Sequence, residues 1–302
     1  MMPGVTLKGP RYEIDQKSQA FPEALAHIAE PPERLYLIGN AEALMPGLAV
    51  IGARKATPYG LTCARRFARL AAEKGVNIIS GGARGCDSEA HKAALEAQGS
   101  TVVFLGGGCD RLYPPEHFEL FQRIVDAGGA IASEHPWDYP PVPYAFRARN
   151  RLIAGLADAV LIVEAGLPSG TFSTADEALD AGKEVLVVPG AITSETARGS
   201  NRLLYQGATP VIDDETFEDV LFRACGTLRR PGASSLEVRT DNPIVQAILA
   251  QPLDDESLLS IAESAFGKQG ARKALMESLA EAEAARVIAR QPDGKWGPVV
   301  SV

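Results

Sequence analysis

Glycine-rich stretches recur along this sequence, and each comes at or soon after the end of a short apolar run. They are residues 52–54 (Gly-Ala-Arg), 80–85 (Ser-Gly-Gly-Ala-Arg-Gly), 106–108 (Gly-Gly-Gly), 169–171 (Ser-Gly-Thr) and 189–190 (Pro-Gly). Glycine lets backbone amides approach an anion closely, and a helix that starts after such a stretch adds a favourable dipole. One such stretch alone is most simply a tight turn. Five of them, two carrying Arg54 and Arg84, favour a phosphate-binding site.

A further stretch, residues 144–151 (Tyr-Ala-Phe-Arg-Ala-Arg-Asn-Arg), interleaves basic and aromatic residues. This composition suits a single-stranded nucleic acid, because a guanidinium pairs with phosphate and an aromatic ring stacks on a base for ~1–3 kcal/mol. The alternative is the start of a helix in which Phe146 belongs to the core and Arg151 makes an ion pair. The residues of this stretch alone leave both interpretations open.

Basic residues are unevenly distributed in a chain whose net charge is −8. Residues 52–92 hold eight basic and three acidic residues, which gives this segment a net charge of +5. For contact with a polyanion the distribution of charge matters more than its sum. Some arginines lie on a predicted helix, where we expect mostly a solvated face: Arg65, Arg66 and Arg69. Others lie in or near predicted turns and are better candidates for phosphate contacts: Arg54, Arg84 and Arg149.

Apolar runs alternate with helical patterns through the middle of the chain. The predicted strands are residues 48–52, 76–80, 101–105, 130–132, 159–164 and 184–188, with a possible edge strand at 210–212. The predicted helices between them are residues 59–74, 87–98, 116–127, 149–156 and 173–181. Strands that are apolar on both faces and alternate with helices predict an α/β fold with a doubly wound, mostly parallel sheet. All the glycine-rich stretches then lie at the carboxyl edge of that sheet, where open α/β sheets bind ligands.

The chain divides by composition into four predicted parts. Residues 1–47 are a lead-in segment, with a helix over 22–29 and a strand over 35–39; residues 48–224 form the Rossmann-like domain. Residues 225–242, rich in Gly, Ser, Arg and Pro, indicate a linker. Residues 243–302 predict a small winged-helix-like domain with helices at 243–250, 255–264 and 271–283, and strands at 286–289 and 296–300 around a turn at 292–295. From residue 241 on, six basic residues face nine acidic ones, which favours a protein-contact role there.

Several classes of protein are disfavoured by what the sequence lacks. No apolar run approaches the ~20 residues of a membrane helix, and residues 1–15 lack the apolar core of a signal peptide. We therefore expect a cytoplasmic protein without a membrane partner. The four cysteines fit no metal-binding spacing, which predicts free thiols and no metal: Cys63, Cys86, Cys109 and Cys225.

Taken together, these motifs resemble those of the DNA-processing protein A family (DprA/Smf). The matching stretches include residues 49–60 (AVIGARKATPYG), 78–95 (IISGGARGCDSEAHKAAL), 105–117 (LGGGCDRLYPPEH), 146–165 (FRARNRLIAGLADAVLIVEA) and 169–179 (SGTFSTADEAL), with shorter ones at 36–40, 188–192 and 199–208. The resemblance implies an extended Rossmann-like fold that binds single-stranded DNA without a nucleotide cofactor. It also implies a homodimer, and loading of the RecA recombinase onto DNA during natural transformation.

Carried over residue by residue, the resemblance places the DNA contacts at the glycine-rich stretches and the arginine cluster. The set is Gly52, Arg54, Ser80, Gly81, Gly82, Arg84, Phe146, Arg149, Asn150 and Gly170, to which we add the neighbouring Lys55 and Arg147. We expect phosphates to meet the amides of Gly52, Gly81 and Gly82, bases to turn towards Phe146, and Arg149 to hold a flanking phosphate. Ala53 departs from the family, which often has serine there.

Enzymatic functions are the main alternative to the hypothesis of single-stranded DNA binding. A stretch near a dinucleotide fingerprint, residues 81–85, has the wrong glycine spacing, and no P-loop pattern exists. Rossmann-like phosphoribohydrolases carry P-G-G-x-G-T-x-x-E, but Thr174 stands where the acid is needed, and Glu177 follows three residues later. We therefore expect no catalytic residue. A sensory domain for a free nucleotide is a further alternative that the loops alone leave open.

Overall fold

The protein is described here by a computed structural model. The structure describes residues 6–167, 170–227, 242–250, 253–268, 270–284, 287–290 and 295–298. The chain forms two compact units, Met1–Arg230 and Pro231–Val302.

The first unit is built on a nine-stranded sheet. Its strands are β1 (Arg11–Asp15), β2 (Arg34–Gly39), β3 (Gly47–Ile51), β4 (Asn77–Ser80), β5 (Thr101–Phe104), β6 (Ala130–Ser133), β7 (Ala157–Ile162), β8 (Glu184–Val187) and β9 (Thr209–Pro210). They lie in the order β1-β2-β6-β5-β4-β3-β7-β8-β9. The pairs β1–β2 and β2–β6 are antiparallel, and the other pairs are parallel. The mostly parallel sheet is thereby confirmed.

Helices cover both faces of the sheet. One face carries α1 (Glu23–Ala26), α5 (Pro143–Leu156), α6 (Thr171–Asp180) and α7 (Arg198–Tyr205). The other carries α2 (Pro58–Glu73), α3 (Cys86–Glu96), α4 (Phe118–Asp126) and α8 (Asp214–Cys225). Along β3, Ala49 and Ile51 pack on the first face and Leu48 and Val50 on the second. Both faces of each central strand are buried, which explains why the strands are continuous apolar runs and confirms the doubly wound fold.

The chain changes direction across the sheet between two adjacent strands, β3 and β7. From β3 it winds through α2 to β4 and on to β5 and β6; from β7 it winds through α6 towards β8 on the opposite side. Such a switch point opens a crevice at the carboxyl ends of the two strands, where ligands bind in open α/β sheets. Gly52 and Gly170 lie in the segments that leave these two ends.

Some elements differ from the sequence-based expectations. The predicted helix at 149–156 begins at Pro143 instead, so the whole basic and aromatic stretch is helical. The predicted helix at 22–29 is the single turn α1, and the lead-in segment supplies strands β1 and β2 to the main sheet. Strand β1 and helices α7 and α8 were not predicted. Among the described residues, no helix is long and apolar enough to cross a bilayer.

The second unit contains α9 (Pro243–Ala250), α10 (Asp255–Phe266), α11 (Ala271–Ala284), β10 (Ile288–Arg290) and β11 (Trp296–Pro298). The two strands pair antiparallel. A small core joins the helices to β10 through Ile244, Ile248, Leu258, Ala262 and Ile288. The winged-helix assignment stays a prediction. Most of the predicted linker, residues 228–241, and most of the predicted turn, residues 292–294, lie outside the described residues.

Candidate nucleic-acid interface

A groove of about 800 Å³ runs along the carboxyl edge of the sheet at the switch point. Segments that follow β3, β4, β5, β7 and β8 contribute to its walls, together with the first turns of α5. Residues lining the groove include Gly52, Arg54, Lys55, Asp87, Tyr113, Phe146, Arg147, Arg149, Asn150, Gly170, Thr171 and Glu195. Most of the predicted site residues therefore meet at one place, although they come from distant parts of the chain.

Phe146 forms the aromatic part of the groove. Its ring centroid lies 5.3 Å from that of Tyr113, and the guanidinium carbon of Arg54 lies 5.7 Å from its centroid. The ring also packs against the backbone of Gly106, where an added Cβ would lie 2.7 Å from Cδ1. Phe146 is accordingly half-buried. It anchors α5 and still lines a groove in which an arginine already approaches its ring.

Arg149 lies in the middle of α5 and is only 5% exposed. Its Nη1 donates hydrogen bonds to the carbonyl of Gly81, at 3.0 Å, and to that of Phe104. Burial lowers the pKa of Arg149 to about 10, against the opposing effect of Asp87. Arg149 was predicted in or near a turn; instead it ties α5 to the carboxyl ends of β4 and β5. Its donors are largely used inside the protein.

The side-chain carboxyl group of Asp87 binds the backbone amides of the second glycine-rich stretch, residues 80–85. We call this group of amides the amide cradle. Oδ2 of Asp87 accepts hydrogen bonds from the amides of Gly81, at 3.1 Å, and Ala83, at 3.3 Å. Burial raises the pKa of Asp87, and the charge of Arg149 acts in the opposite direction. The amide of Gly81 thus already has a hydrogen-bond partner within the protein, a side-chain oxygen of Asp87. This corrects the expectation that the amide faces a phosphate directly.

Ser80, Gly81 and Gly82 hold this stretch in place. The buried Ser80 donates its hydroxyl to the carbonyl of Val50 at 2.7 Å. A Cβ on Gly81 would lie 2.6 Å from the guanidinium nitrogens of Arg149, so only glycine admits the arginine. Gly82 adopts a φ of +65°, which favours glycine. These three residues lie beneath the groove surface and position the groups above them.

Three cations at the groove are exposed and make no ion pair with any described residue: Arg54, Lys55 and Arg147. Arg84 is also exposed but pairs with Glu116, which lowers the pKa of that carboxyl. Asn150 donates its amide to Ser173 Oγ at 2.9 Å. Gly170 is exposed, whereas its neighbours 168 and 169 lie outside the described residues.

The three arginines predicted on a solvated helix face are partly exposed and paired with acidic residues. Arg65 pairs with Glu89 and Glu96, Arg66 with Asp214, and Arg69 with Glu73, all at partly exposed positions on α2. Arg151 makes a more buried ion pair with Glu134 at 2.6 Å, as the alternative interpretation of its stretch expected. These four arginines are therefore engaged by acidic residues, unlike Arg54, Lys55 and Arg147 at the groove.

Comparison with known proteins agrees with these observations. The family model of the DNA recombination-mediator protein A matches residues 13–222. Protein Smf of Escherichia coli is 40% identical over 211 residues, which are 69% of this chain and 56% of that protein. A putative DNA processing protein DprA of Mycobacterium tuberculosis is 36% identical over 271 residues, covering 88% of this chain and 68% of that one. The chain thus matches little more than half the length of the E. coli relative.

Solved structures give the same result for the fold. The X-ray structure of DNA processing protein A from Streptococcus pneumoniae is similar with a TM-score of 0.63 and 30% identity, over 69% of this chain and 74% of that one. A structure of DNA processing protein A from Helicobacter pylori, described for its single-stranded DNA binding mode, is similar with a TM-score of 0.63 and 32% identity. The match covers 70% of this chain and 99% of that one. The family match covers most of the first unit and the residues that line the groove. The chain belongs to the DNA recombination-mediator protein A family.

Proposed function

We propose that this chain binds single-stranded DNA in the groove at the carboxyl edge of the sheet. The observation that carries the proposal is the arrangement of the exposed, unpaired Arg54 beside the ring of Phe146. A guanidinium and an aromatic ring at this spacing suit a phosphate and the base attached to it. A duplex offers no free base face, because its bases are already stacked on one another. The single-strand mode described for the H. pylori relative supports the same conclusion.

The proposed contacts divide into two groups. Residues at the groove surface touch the strand: Gly52, Arg54, Lys55, Arg84, Phe146, Arg147, Asn150 and Gly170. Residues buried in or behind the groove wall act by holding the first group: Ser80, Gly81, Gly82 and Arg149. The phosphates are met mainly by side chains, because Asp87 already fills the amide cradle of the second glycine-rich stretch.

The experiment that tests this function is a titration of labelled oligonucleotides with the protein at two salt concentrations. Binding is measured by fluorescence anisotropy. We expect single strands to bind more tightly than duplexes of the same length, and the affinity to fall as salt rises, because phosphate contacts release counterions. Equal affinity for duplex and single strand would contradict the role of Phe146.

We further propose that the protein is a cytoplasmic recombination mediator that loads the RecA recombinase, and that it is not an enzyme. The buried Thr174 occupies the position where phosphoribohydrolases of related folds need an acid. We expect no release of base or phosphate from nucleoside monophosphates or triphosphates, as measured by chromatography against a protein-free blank. Release that is abolished by Glu177→Gln would contradict this expectation.

A homodimer formed through the first unit completes the proposal. Exposed apolar side chains, Tyr205 and Ile212, flank the edge strand β9 along the chain, and exposed apolar surface often marks an interface. Light scattering at micromolar concentration is expected to give about twice the monomer mass of 32.0 kDa. We expect Tyr205→Asp together with Ile212→Asp to shift the mass towards the monomer. A wild-type protein that stays at the monomer mass would contradict the dimer.

A further inference from the structure

A second cavity of about 400 Å³ lies at the carboxyl ends of β7 and β8. Its walls are largely apolar, and they include Tyr59, Val163, Val188, Pro189, Ala191 and Ala197. Thr196 lines both this cavity and the groove proposed for DNA, so the two are adjacent. Its size is within the range of small-molecule sites in proteins, which is roughly 300–1,000 Å³.

Glu164 supplies a buried carboxylate to this cavity and is only 4% exposed. Its Oε2 accepts hydrogen bonds from the amide of Thr57, at 2.9 Å, and from its hydroxyl, at 3.1 Å. No described residue donates to Oε1, and no described cation pairs with the carboxylate. The carboxylate lies at the amino-terminal end of α2, where the helix dipole favours its charge. Oε1 is therefore available to accept hydrogen bonds from a ligand.

The cavity walls are held in place by hydrogen bonds. The hydroxyl of Tyr59 donates to the carbonyl of Pro189 at 2.9 Å, and burial raises the pKa of Tyr59 to about 12, so the hydroxyl remains a donor. The amide group of Asn201 donates to the carbonyl of Gly190 at 3.0 Å and accepts from its N–H at 3.2 Å. Preorganised walls reduce the entropy lost on binding.

We propose that this cavity accepts an unstacked guanine of the bound strand, with the carboxylate of Glu164 as the acceptor. The proposal rests on the proposed single-strand function. Guanine presents two adjacent donors, N1–H and the exocyclic amine, and both can donate to Oε1, the carboxylate oxygen that accepts no hydrogen bond from a described residue. Thymine has a single N–H between two carbonyls, and adenine and cytosine place a ring acceptor beside their amine. Each of these three bases would direct a lone pair at the carboxylate, so guanine is preferred.

The test compares three oligonucleotides of equal length: thymine-thymine-guanine repeats, the same repeats with hypoxanthine in place of guanine, and thymine alone. Hypoxanthine keeps N1–H and lacks the amine. In sodium buffer without potassium, we expect the wild-type protein to bind the guanine strand roughly fivefold or more tightly than the hypoxanthine strand. Glu164→Gln should abolish this preference and leave the affinity for thymine unchanged. Glu119→Gln, an exposed acid on α4, is the matched charge control.

Ala191→Trp provides a second variant, which fills the mouth of the cavity without altering Glu164 and should also abolish the preference. If Glu164→Gln does not fold, the guanine site is tested by Ala191→Trp together with the comparison of the three strands on the wild-type protein. Equal binding of the guanine and hypoxanthine strands by wild-type protein would overturn the guanine site while leaving the strand-binding function intact. Failure to bind any of the three strands would overturn both proposals.

Discussion

Replacing Arg149 by alanine should lower the free energy of unfolding of the first unit by about 2–6 kcal/mol, because two buried carbonyl groups lose their charged donor at about 1–3 kcal/mol each. The substitution removes the donor that satisfies the carbonyls of Gly81 and Phe104. It also leaves the buried carboxylate of Asp87 without the positive charge that it faces. DNA binding should be lost together with the geometry of the groove.

Urea unfolding measures this effect most cleanly when the signal comes from one unit. The chain has two tryptophans, and Trp137 lies in the first unit, so a Trp296→Phe background isolates its fluorescence. The matched control is Arg147→Ala, an exposed neighbour on the same helix, for which we expect a change within about 0.5 kcal/mol. A loss below about 1 kcal/mol in Arg149→Ala, with unfolding otherwise unchanged, would show that the guanidinium is not structural.

Replacing Phe146 by alanine should weaken single-strand binding by ~1–3 kcal/mol and leave the salt dependence nearly unchanged, because stacking releases no counterions. Phe146→Leu separates the two roles of the ring, since leucine retains most of the packing against Gly106 but cannot stack on a base. Both variants are measured by anisotropy titration at several salt concentrations, after melting curves have shown that they fold.

Tyr144→Ala is the control for this prediction. Tyr144 is exposed on the same helix and does not line the groove, so we expect its loss to have little effect on affinity. If Phe146→Leu binds single strands as tightly as the wild-type protein, the ring serves only the packing of α5. The preference for single strands would then need another source than Phe146.

The central strands were predictable because they are continuous apolar runs, as strands buried on both faces must be. The predicted helix began only at Arg149, and the first turns of α5 were missed because they directly follow several prolines. Pro143 in fact occupies the first position of the helix, where its missing N–H costs nothing. Helix α8 could have been predicted from its two ends. Asp213 forms a capping box with Thr216 at the start, and Gly226 adopts a left-handed conformation at the end.

The site was predictable as a set of loops but not in its internal chemistry. The sequence does not reveal that Arg149 is buried, because its carbonyl partners belong to segments 45 and 68 residues away. Asp87 was missed as the occupant of the amide cradle for a similar reason: the acid sits in the first turn of α3 and reaches back to the preceding loop. Tyr113 and Glu164 join the cavities only through the tertiary fold.

The most direct test of single-strand binding in the groove is the salt dependence of affinity for Arg54→Ala. We expect this variant to bind single-stranded DNA more weakly regardless of sequence. Its plot of log affinity against log salt should be flatter by about 0.7, the value for one phosphate contact on a single strand. Arg69→Ala, which removes an exposed arginine paired with Glu73 on α2, should keep the wild-type slope. If Arg54→Ala keeps both the wild-type affinity and the wild-type slope, the glycine-rich edge is not the DNA site.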